Sequence, residues 1–226
     1  KTVGGISGKA ALMTLSETTP AEYNGTFAEV SAQAKRSGGF VMTGHTTKAI
    51  AAQGTKTDVA VTLERTVAKI AVQASTTAEF SERYSGKVRI NSAVLSKAAS
   101  RSNLIAQQAP NTGPMTFTHT QAADELSGKF RNLFYVPENG ELAEGSRLLL
   151  TLGATYDRDG NFSTTDDQAE VAYPVELSGD GAGRFLRNGY YRVQALIDGL
   201  TGSELSVSIS VADWEAPVTQ SVNLGQ

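Results

Sequence analysis

The sequence predicts an all-β protein, and three of its features carry that prediction. Apolar and polar residues alternate over most of the chain after residue 57. Turn-forming residues at 157–160 and 178–183 separate the alternating segments, and only one segment has the apolar spacing of a helix. Strict alternation is typical of antiparallel sheets that present one face to a core and the other to water. We therefore expect antiparallel β-sandwiches with one short helix in the N-terminal part.

The predicted helix covers residues 26–35. Phe27 and Val30 lie three positions apart, as on one face of a helix. Thr26 is a good N-cap, and Glu29 three residues later completes a capping box.

The apolar positions change parity near residue 65, and this change predicts a domain boundary. Apolar residues occupy odd positions over 59–63 and even positions over 68–72. Because one strand keeps its apolar set on one face, the change indicates either a bulge or a chain that leaves one core for another. We favour the second, with an N-terminal domain over residues 1–65 and a C-terminal domain over 66–226. Arg65 is then predicted to tie the two domains together, with a proteolytic site as the alternative.

An N-terminal domain of 65 residues is too small to cover a complete sandwich core. The sequence therefore predicts an incomplete sandwich, whose early strands are missing from this chain or supplied by a partner.

The C-terminal domain is predicted to hold most of the strands. They lie at Val88–Val94, Leu133–Val136, Leu148–Tyr156, Val171–Leu177, Tyr191–Ile197 and Leu205–Val211. Pro174 lacks an N–H group, which favours an edge position or a bulge at this point of the strand. The segment 133–136 is apolar on both faces and predicts a central strand, whereas 205–211 has serine at every outward position.

The last residues predict a detached strand, which we place over 217–226 as the terminal strand of the second domain. Val218, Val222 and Leu224 alternate with polar residues after Pro217. Such a strand pairs either in its own sheet or in that of another molecule. These three residues are the candidate strand-donor side chains, because strand addition fills an apolar groove with alternate side chains.

Composition excludes several classes of function. The chain has no cysteine, so disulfides, thiol catalysis and thiolate metal sites are excluded. A net charge of -3 with no long basic run argues against nucleic acid as a partner. Glycine-rich nucleotide-binding fingerprints and serine-nucleophile motifs are also absent from the sequence.

Four segments invite a chemical interpretation, and each has a structural alternative. His45 and His119 lie in Thr-rich segments, so we expect exposed histidines rather than a catalytic or metal site.

The segment 157–162 resembles the start of a calcium loop, but Gln168 stands where such a loop needs glutamate. A hairpin turn is predicted there, and a weak surface cation site stays open.

Trp214 lies between two acidic residues, Asp213 and Glu215, and a glycosidase pair is the functional alternative. Alternation places both carboxylates on the face opposite the indole, so we expect a core tryptophan near a strand end. No catalytic, cofactor-binding or metal-ligating residue is therefore predicted, and the protein is predicted not to be an enzyme.

Five segments in order resemble the fimbrillin superfamily, the subunits of type V pili in Bacteroidales. They are Gly39-Phe-Val-Met-Thr-Gly44, Val61-Thr-Leu-Glu-Arg-Thr-Val-Ala-Lys-Ile70, Leu133-Phe-Tyr-Val-Pro-Glu-Asn139, Leu186-Arg-Asn-Gly-Tyr-Tyr-Arg-Val193 and Val211-Ala-Asp-Trp214. The resemblance implies tandem transthyretin-like β-sandwiches, export to the cell surface, and assembly by strand exchange after an N-terminal strand is removed. The chain begins at Lys1, without the first strands and lipoprotein cysteine of that family, as a matured or trimmed subunit would.

The resemblance implies a structural subunit of an extracellular fimbria that is attached at the bacterial outer membrane and supports adhesion. Its partners would be other fimbrial subunits, together with host or bacterial surface receptors, and it would need no cofactor. Two alternatives stay open: a tip adhesin or binding module for a carbohydrate or host receptor, and a β-sandwich accessory of a hydrolase.

Overall fold

The computed structural model describes residues 6, 8–18, 25–26, 40–126, 128–201, 205–213 and 218–224. The helices in these ranges are α1 (Lys9–Met13) and α2 (Ala78–Arg83). The strands are β1 (Ser16–Thr18), β2 (Gly25–Thr26), β3 (Met42–Thr43), β4 (Thr57–Arg65), β5 (Val67–Thr76), β6 (Lys87–Ala98), β7 (Arg101–Asn103), β8 (Phe117–Ala122), β9 (Asp124–Leu126), β10 (Lys129–Pro137), β11 (Leu149–Asp157), β12 (Gln168–Glu176), β13 (Gly189–Ile197), β14 (Leu205–Asp213) and β15 (Val218–Leu224).

Two sheets form a β-sandwich, so the all-β prediction is confirmed. The first has the strand order β14-β13-β5-β10-β2, with β9 also paired to β10, and the second has the order β12-β11-β6-β8. The apolar faces of both sheets meet in one core. Its large, fully buried side chains include Ile70, Phe80, Leu95, Phe134, Leu150, Leu152, Tyr173, Phe185 and Tyr191.

Alternation explains why these strands lie where they do. In β5, Ala68, Ile70 and Val72 are buried, while the residues between them are partly exposed. Each buried aliphatic side chain contributes about 1.5–3 kcal/mol relative to an exposed one. β12 is an edge strand, one of the two outcomes that Pro174 favours, and residues 132–137 of β10 are buried on both faces, as their continuous apolar run predicts.

One pair of strands departs from the predicted antiparallel arrangement, because β5 and β13 run parallel. Between these two strands the chain forms all four strands of the second sheet, together with β9 and β10 of the first. A long crossover of this kind allows parallel pairing, which a short hairpin does not.

A third sheet has the order β15-β4-β3. The sequence interpretation placed the terminal strand in the second domain, but β15 pairs antiparallel with β4, which belongs to residues 1–65. The change in apolar parity thus coincides with a change of sheet, because β4 ends at Arg65 and β5 begins at Val67 in the sandwich.

The helix predicted over 26–35 lies outside the described residues except for Thr26, which is paired in β2. The short helix α2 was not predicted. Thr77 caps it by accepting a hydrogen bond from the backbone N–H of Phe80 at 3.3 Å, and Phe80 is buried in the core. Neither helix in the described part of the chain is long and apolar enough to cross a membrane.

Candidate assembly site

The terminal strand lies along β4 in a continuous antiparallel ladder. The register pairs Val218 with Leu63, Val222 with Val59 and Leu224 with Thr57. All three candidate strand-donor residues are therefore in a strand that is paired within its own chain. Antiparallel ladders satisfy the backbone groups of both strands, so this pairing covers one edge of β4.

The apolar face of β4 is only partly covered. Val59, Val61 and Leu63 are half-buried, although they alternate with exposed residues as strictly as those of β5. In β5 the equivalent residues are fully buried between two sheets. β4 therefore retains apolar area that a further layer of structure would bury.

The opposite edge of β4 is paired over a short length. β3 pairs Met42 with Arg65 and Thr43 with Glu64. Further along this edge, Lys48 Nζ donates a hydrogen bond to the carbonyl oxygen of Asp58. A lysine at a strand edge hinders pairing with a foreign strand. The edge occupied by β15 is thus the better candidate for exchange between molecules.

Thr66 joins the third sheet to the sandwich and is itself held by three elements. Its backbone N–H donates to the carbonyl of Val41 at 3.1 Å, and its hydroxyl donates to Glu17 Oε2 at 3.0 Å. Its carbonyl accepts a hydrogen bond from Ser102 Oγ at 2.7 Å. Thr66 and Ser102 are each 1% exposed, so the connection between the two sheets is dry and fixed.

Arg65 is placed at this connection, where the sequence predicts a residue that ties two domains. Its backbone N–H and its guanidinium Nη1 both donate to Asn188 Oδ1, at 3.4 and 3.1 Å. Asn188 lies in the turn before β13 and has a left-handed φ of 55°. Its own N–H donates to the carbonyl of Val67 at 2.9 Å, so this turn is bonded to both sides of the connection.

A buried ion pair beside this turn is the feature that sequence reasoning missed. Arg187 Nε donates to Glu138 Oε2 at 3.0 Å, and Nη2 donates to Oε1 of the same carboxylate. The guanidinium also donates to the carbonyls of Asn103 at 2.7 Å and Leu104 at 3.1 Å, and to Thr43 Oγ1 at 3.4 Å. Arg187 therefore connects the sandwich to the strand next to β4. Arg187 lies between the predicted turn at 178–183 and the predicted strand that begins at Tyr191, where alternation gave no signal of burial.

The two histidines do not come together. His45 is exposed, as predicted, but His119 is 2% exposed and lies in the core, so the prediction of an exposed side chain is wrong there. Its ring centroid is 4.5 Å from that of Phe117 and 6.4 Å from that of Phe134. Neither ring nitrogen has a hydrogen-bond partner. Desolvation by burial lowers the pKa of His119 from 6.5 to about 4.

The acidic loop after β11 forms a turn stabilised by its own carboxylates. Asp157 Oδ1 accepts from the N–H of Asn161 at 2.9 Å, and Oδ2 accepts from Gln168 Nε2 at 3.0 Å. Burial opposes ionisation of Asp157, but these hydrogen bonds outweigh it and lower its pKa below the ordinary value. Asp159 and Asp167 offer oxygens within 4.8 Å of Asp157, and Asp167 Oδ2 accepts from the N–H of Asp159 at 3.0 Å. The predicted hairpin turn is present, and its carboxylates serve the turn.

In the described part of the chain, the aromatic side chains of Tyr84 and Phe162 contact different neighbours. Tyr23 and Trp214 lie outside the described residues. Tyr84 packs against Phe80 with ring centroids 4.9 Å apart, and Phe162 lies under the guanidinium of Arg89 at 4.3 Å.

The fold defines an all-β protein whose sandwich carries a separate, partly covered sheet. No protein-family model and no curated protein match the chain. Among solved structures, the chain is similar to a candidate cell adhesion protein from Parabacteroides distasonis ATCC 8503, with a TM-score of 0.48, 15% identity, and coverage of 67% of this chain and 53% of that one.

The chain is also similar to two fimbrial proteins from Porphyromonas gingivalis. One is a fimbrilin, with a TM-score of 0.44, 17% identity and coverage of 67% of this chain and 59% of that one. The other is a tip fimbrial protein with a C-terminal truncation, with a TM-score of 0.38, 16% identity and coverage of 67% and 52%. The chain matches only about half to three fifths of the length of these structures, and we therefore take its function from its own strand geometry.

Proposed function

We propose that this protein is a non-enzymatic structural subunit of a fimbria on the surface of a bacterium, and that it assembles by exchange of β15. One observation carries the proposal. A terminal strand of seven residues, Val218–Leu224, fills an edge of β4, and β4 lies in a sheet outside the sandwich core.

The pairing within one chain supports an equivalent pairing between chains. Domain swapping exchanges an element for its identical copy, so the register between β15 and β4 is kept. If each chain donates β15 to a neighbour and accepts β15 from another, the contact is head-to-tail. Contacts of this kind produce an open filament when the rotation from one subunit to the next does not close into a ring.

The half-buried residues of β4 support the same proposal. Val59, Val61 and Leu63 keep apolar area that an assembled neighbour would cover. Exposed apolar area next to a strand edge is typical of surfaces that bind another chain. The partners in this proposal are other fimbrial subunits, outside the cell and anchored at its outer membrane.

Mixed single-cysteine variants test the exchange, because the natural chain has no cysteine. Thr219 pairs directly with Thr62 in the ladder. One preparation carries Thr62→Cys and the other Thr219→Cys, and the two are mixed at high concentration under mild oxidation. Exchange brings the two thiols from different chains into register, so a covalent heterodimer forms and is seen on a non-reducing gel.

A register control makes the result specific. Thr62→Cys mixed with Ser221→Cys places the thiols on diagonal positions, where Cα atoms are about 7–8 Å apart and bridge poorly. The double variant Thr62→Cys/Thr219→Cys reports pairing within one chain. A strong bond in the double variant with no heterodimer in the mixture would mean that β15 stays in its own chain, and the proposed exchange would be wrong.

A further inference from the structure

We propose that the outer face of the first sheet holds a binding pocket for a carboxylate-bearing sugar. The pocket encloses about 320 Å³ above β5, β10, β13 and β14. That volume is at the lower end of the range for small-molecule sites, which is about 300–1,000 Å³. The inference does not depend on strand exchange, because all four strands belong to the sandwich.

The strand register explains why a depression forms there. One row across the four strands consists of Arg131, Gln73, Gln194 and Ser208. In the next row Ala71 and Ser210 stand on either side of Arg192. The short side chains make the floor of the pocket, and the longer ones make its rim.

The part of this face beside β10 is already covered. Leu133 and Tyr135 are buried, and Phe40 packs on Tyr135 with ring centroids 4.6 Å apart. The pocket begins where this apolar contact ends, at Tyr190. The open part of the face is polar, and its position is fixed by the packed part beside it.

The charge of the pocket favours an anion. Lys69 Nζ lies 4.6 Å and Arg192 Cζ lies 5.1 Å from the centroid of the Tyr190 ring, so the ring holds two cations at one end of the pocket. Arg131 is neutralised by Asp124, which accepts from it at 2.6 Å. Arg192 is exposed and has no carboxylate within ion-pair distance among the side chains that the structure describes. A guanidinium in this position suits the two oxygens of a carboxylate.

The remaining groups favour a sugar over an acidic peptide. Gln73, Gln194, Ser208 and Ser210 can each both donate and accept hydrogen bonds, as sugar hydroxyls can. The pocket lies on the face of the sheet, where the backbone groups are used in the ladders. An extended peptide that lies over β5 and β13 would find no free backbone N–H or carbonyl on these two inner strands, and such free groups are what binds peptides at strand edges.

The decisive experiment compares ligands that differ in one group. Methyl glucuronide and methyl glucoside differ in a carboxylate against a hydroxymethyl group, and sialyllactose and lactose, which differ by one whole acidic sugar residue, form a second pair. Binding to the full chain is measured by titration calorimetry or by ligand-observed NMR. We expect the acidic member of a pair to bind at least about tenfold more tightly than the neutral one, a difference of about 1.4 kcal/mol.

Two variants with matched controls locate the site. Arg192→Ala should weaken binding of the acidic sugar about tenfold, whereas Arg158→Ala removes an exposed arginine from the hairpin beyond β11 and should change nothing. Ser208→Trp should fill the pocket and abolish binding with the charge unchanged. Ser206→Trp is its control, because Ser206 is exposed on the same strand but does not line the pocket.

Several results would overturn the proposal. They are equal binding of acidic and neutral sugars, binding that Arg192→Ala and Arg158→Ala affect equally, and competition by acetate at the same concentration as the sugar. Tighter binding of a glutamate oligopeptide than of either acidic sugar would assign the site to an acidic protein instead.

Discussion

Arg187 and Glu138 form a buried ion pair that fixes the turn before β13 to the end of β10. Their side chains are 6% and 7% exposed, and the arginine also donates to the carbonyls of Asn103, at the end of β7, and of Leu104, just after it. A pair that is buried and fully hydrogen-bonded in this way orients the elements around it, and its loss leaves the other charge unpaired in a dry site.

Arg187→Ala is therefore expected to lower the free energy of unfolding by about 3–5 kcal/mol. Urea unfolding at neutral pH measures the change. Arg184→Ala is the matched control, because Arg184 forms an ion pair with Asp180 but is 42% exposed, and surface pairs contribute about 0–1 kcal/mol. Equal effects of the two substitutions would show that burial of the Arg187 pair has no energetic importance.

His119 predicts a loss of stability in mild acid. Its pKa is about 4 in the fold against 6.5 in the unfolded chain, so the unfolded state binds the proton more tightly. The free energy of unfolding is therefore unaffected by this group above pH 6.5, and it falls by about 3 kcal/mol in total as the pH drops toward 4.

His119→Leu should remove this part of the pH dependence and leave the protein at least as stable at pH 7, because the buried ring nitrogens have no partners. Thermal unfolding between pH 7 and pH 4.5 for both proteins checks it. His45→Leu serves as the exposed control. A pH dependence that persists unchanged in His119→Leu would assign it to other groups.

The backbone of β4 leaves no room for a side chain at Gly44. A Cβ atom at this position would lie 1.9 Å from the carbonyl oxygen of Thr62, a backbone atom that cannot move without disturbing the ladder. Gly44→Ala should cost about 1–3 kcal/mol, as overpacking does. Gly140→Ala is the control, because the nearest atom to its Cβ would be Pro110 Cδ at 3.9 Å. Chemical unfolding compares the two, and equal stabilities would contradict the predicted contact.

The left-handed backbone of Asn188 predicts a difference in stability between its replacement by alanine and its replacement by glycine. Asn188→Ala and Asn188→Gly both remove the side-chain acceptor for Arg65, but only glycine adopts a φ of 55° without strain. We expect the alanine variant to be about 1–2 kcal/mol less stable than the glycine variant. Urea midpoints measure this difference, and its absence would mean that the turn relaxes to another conformation.

Local patterns predicted the strands well because each strand buries one face. The parity change near Arg65 marks the point where the chain moves from the third sheet to the sandwich, and the serines of β14 are exposed as predicted. The burial of His119 could have been predicted by the same rule. Phe117, His119 and Gln121 alternate with two threonines, and the threonines are more exposed than these three residues. Exposure of His119 was predicted from the neighbouring threonines instead of from the face of the strand on which the histidine lies.

Features that depend on distant residues could not be predicted. The ion pair joins Arg187 to Glu138 across 49 positions, and no periodicity relates them. The pocket depends on parallel pairing of β5 with β13, which sets Gln73 beside Gln194. Alternation within each strand predicts the face on which a residue lies. The order of strands in the sheet determines which residues of different strands become neighbours.

The register of β15 has a mechanical consequence. Val218, where the terminal strand begins, pairs with Leu63, two residues before the chain leaves β4 for the sandwich. In a filament built by exchanging this strand, donor and acceptor bodies would both be attached at that end of the ladder. Tension along such a filament would separate the seven residue pairs one after another, instead of acting on all of them at the same time. Resistance to pulling would then depend on the first rungs beside Arg65 more than on the length of the donated strand.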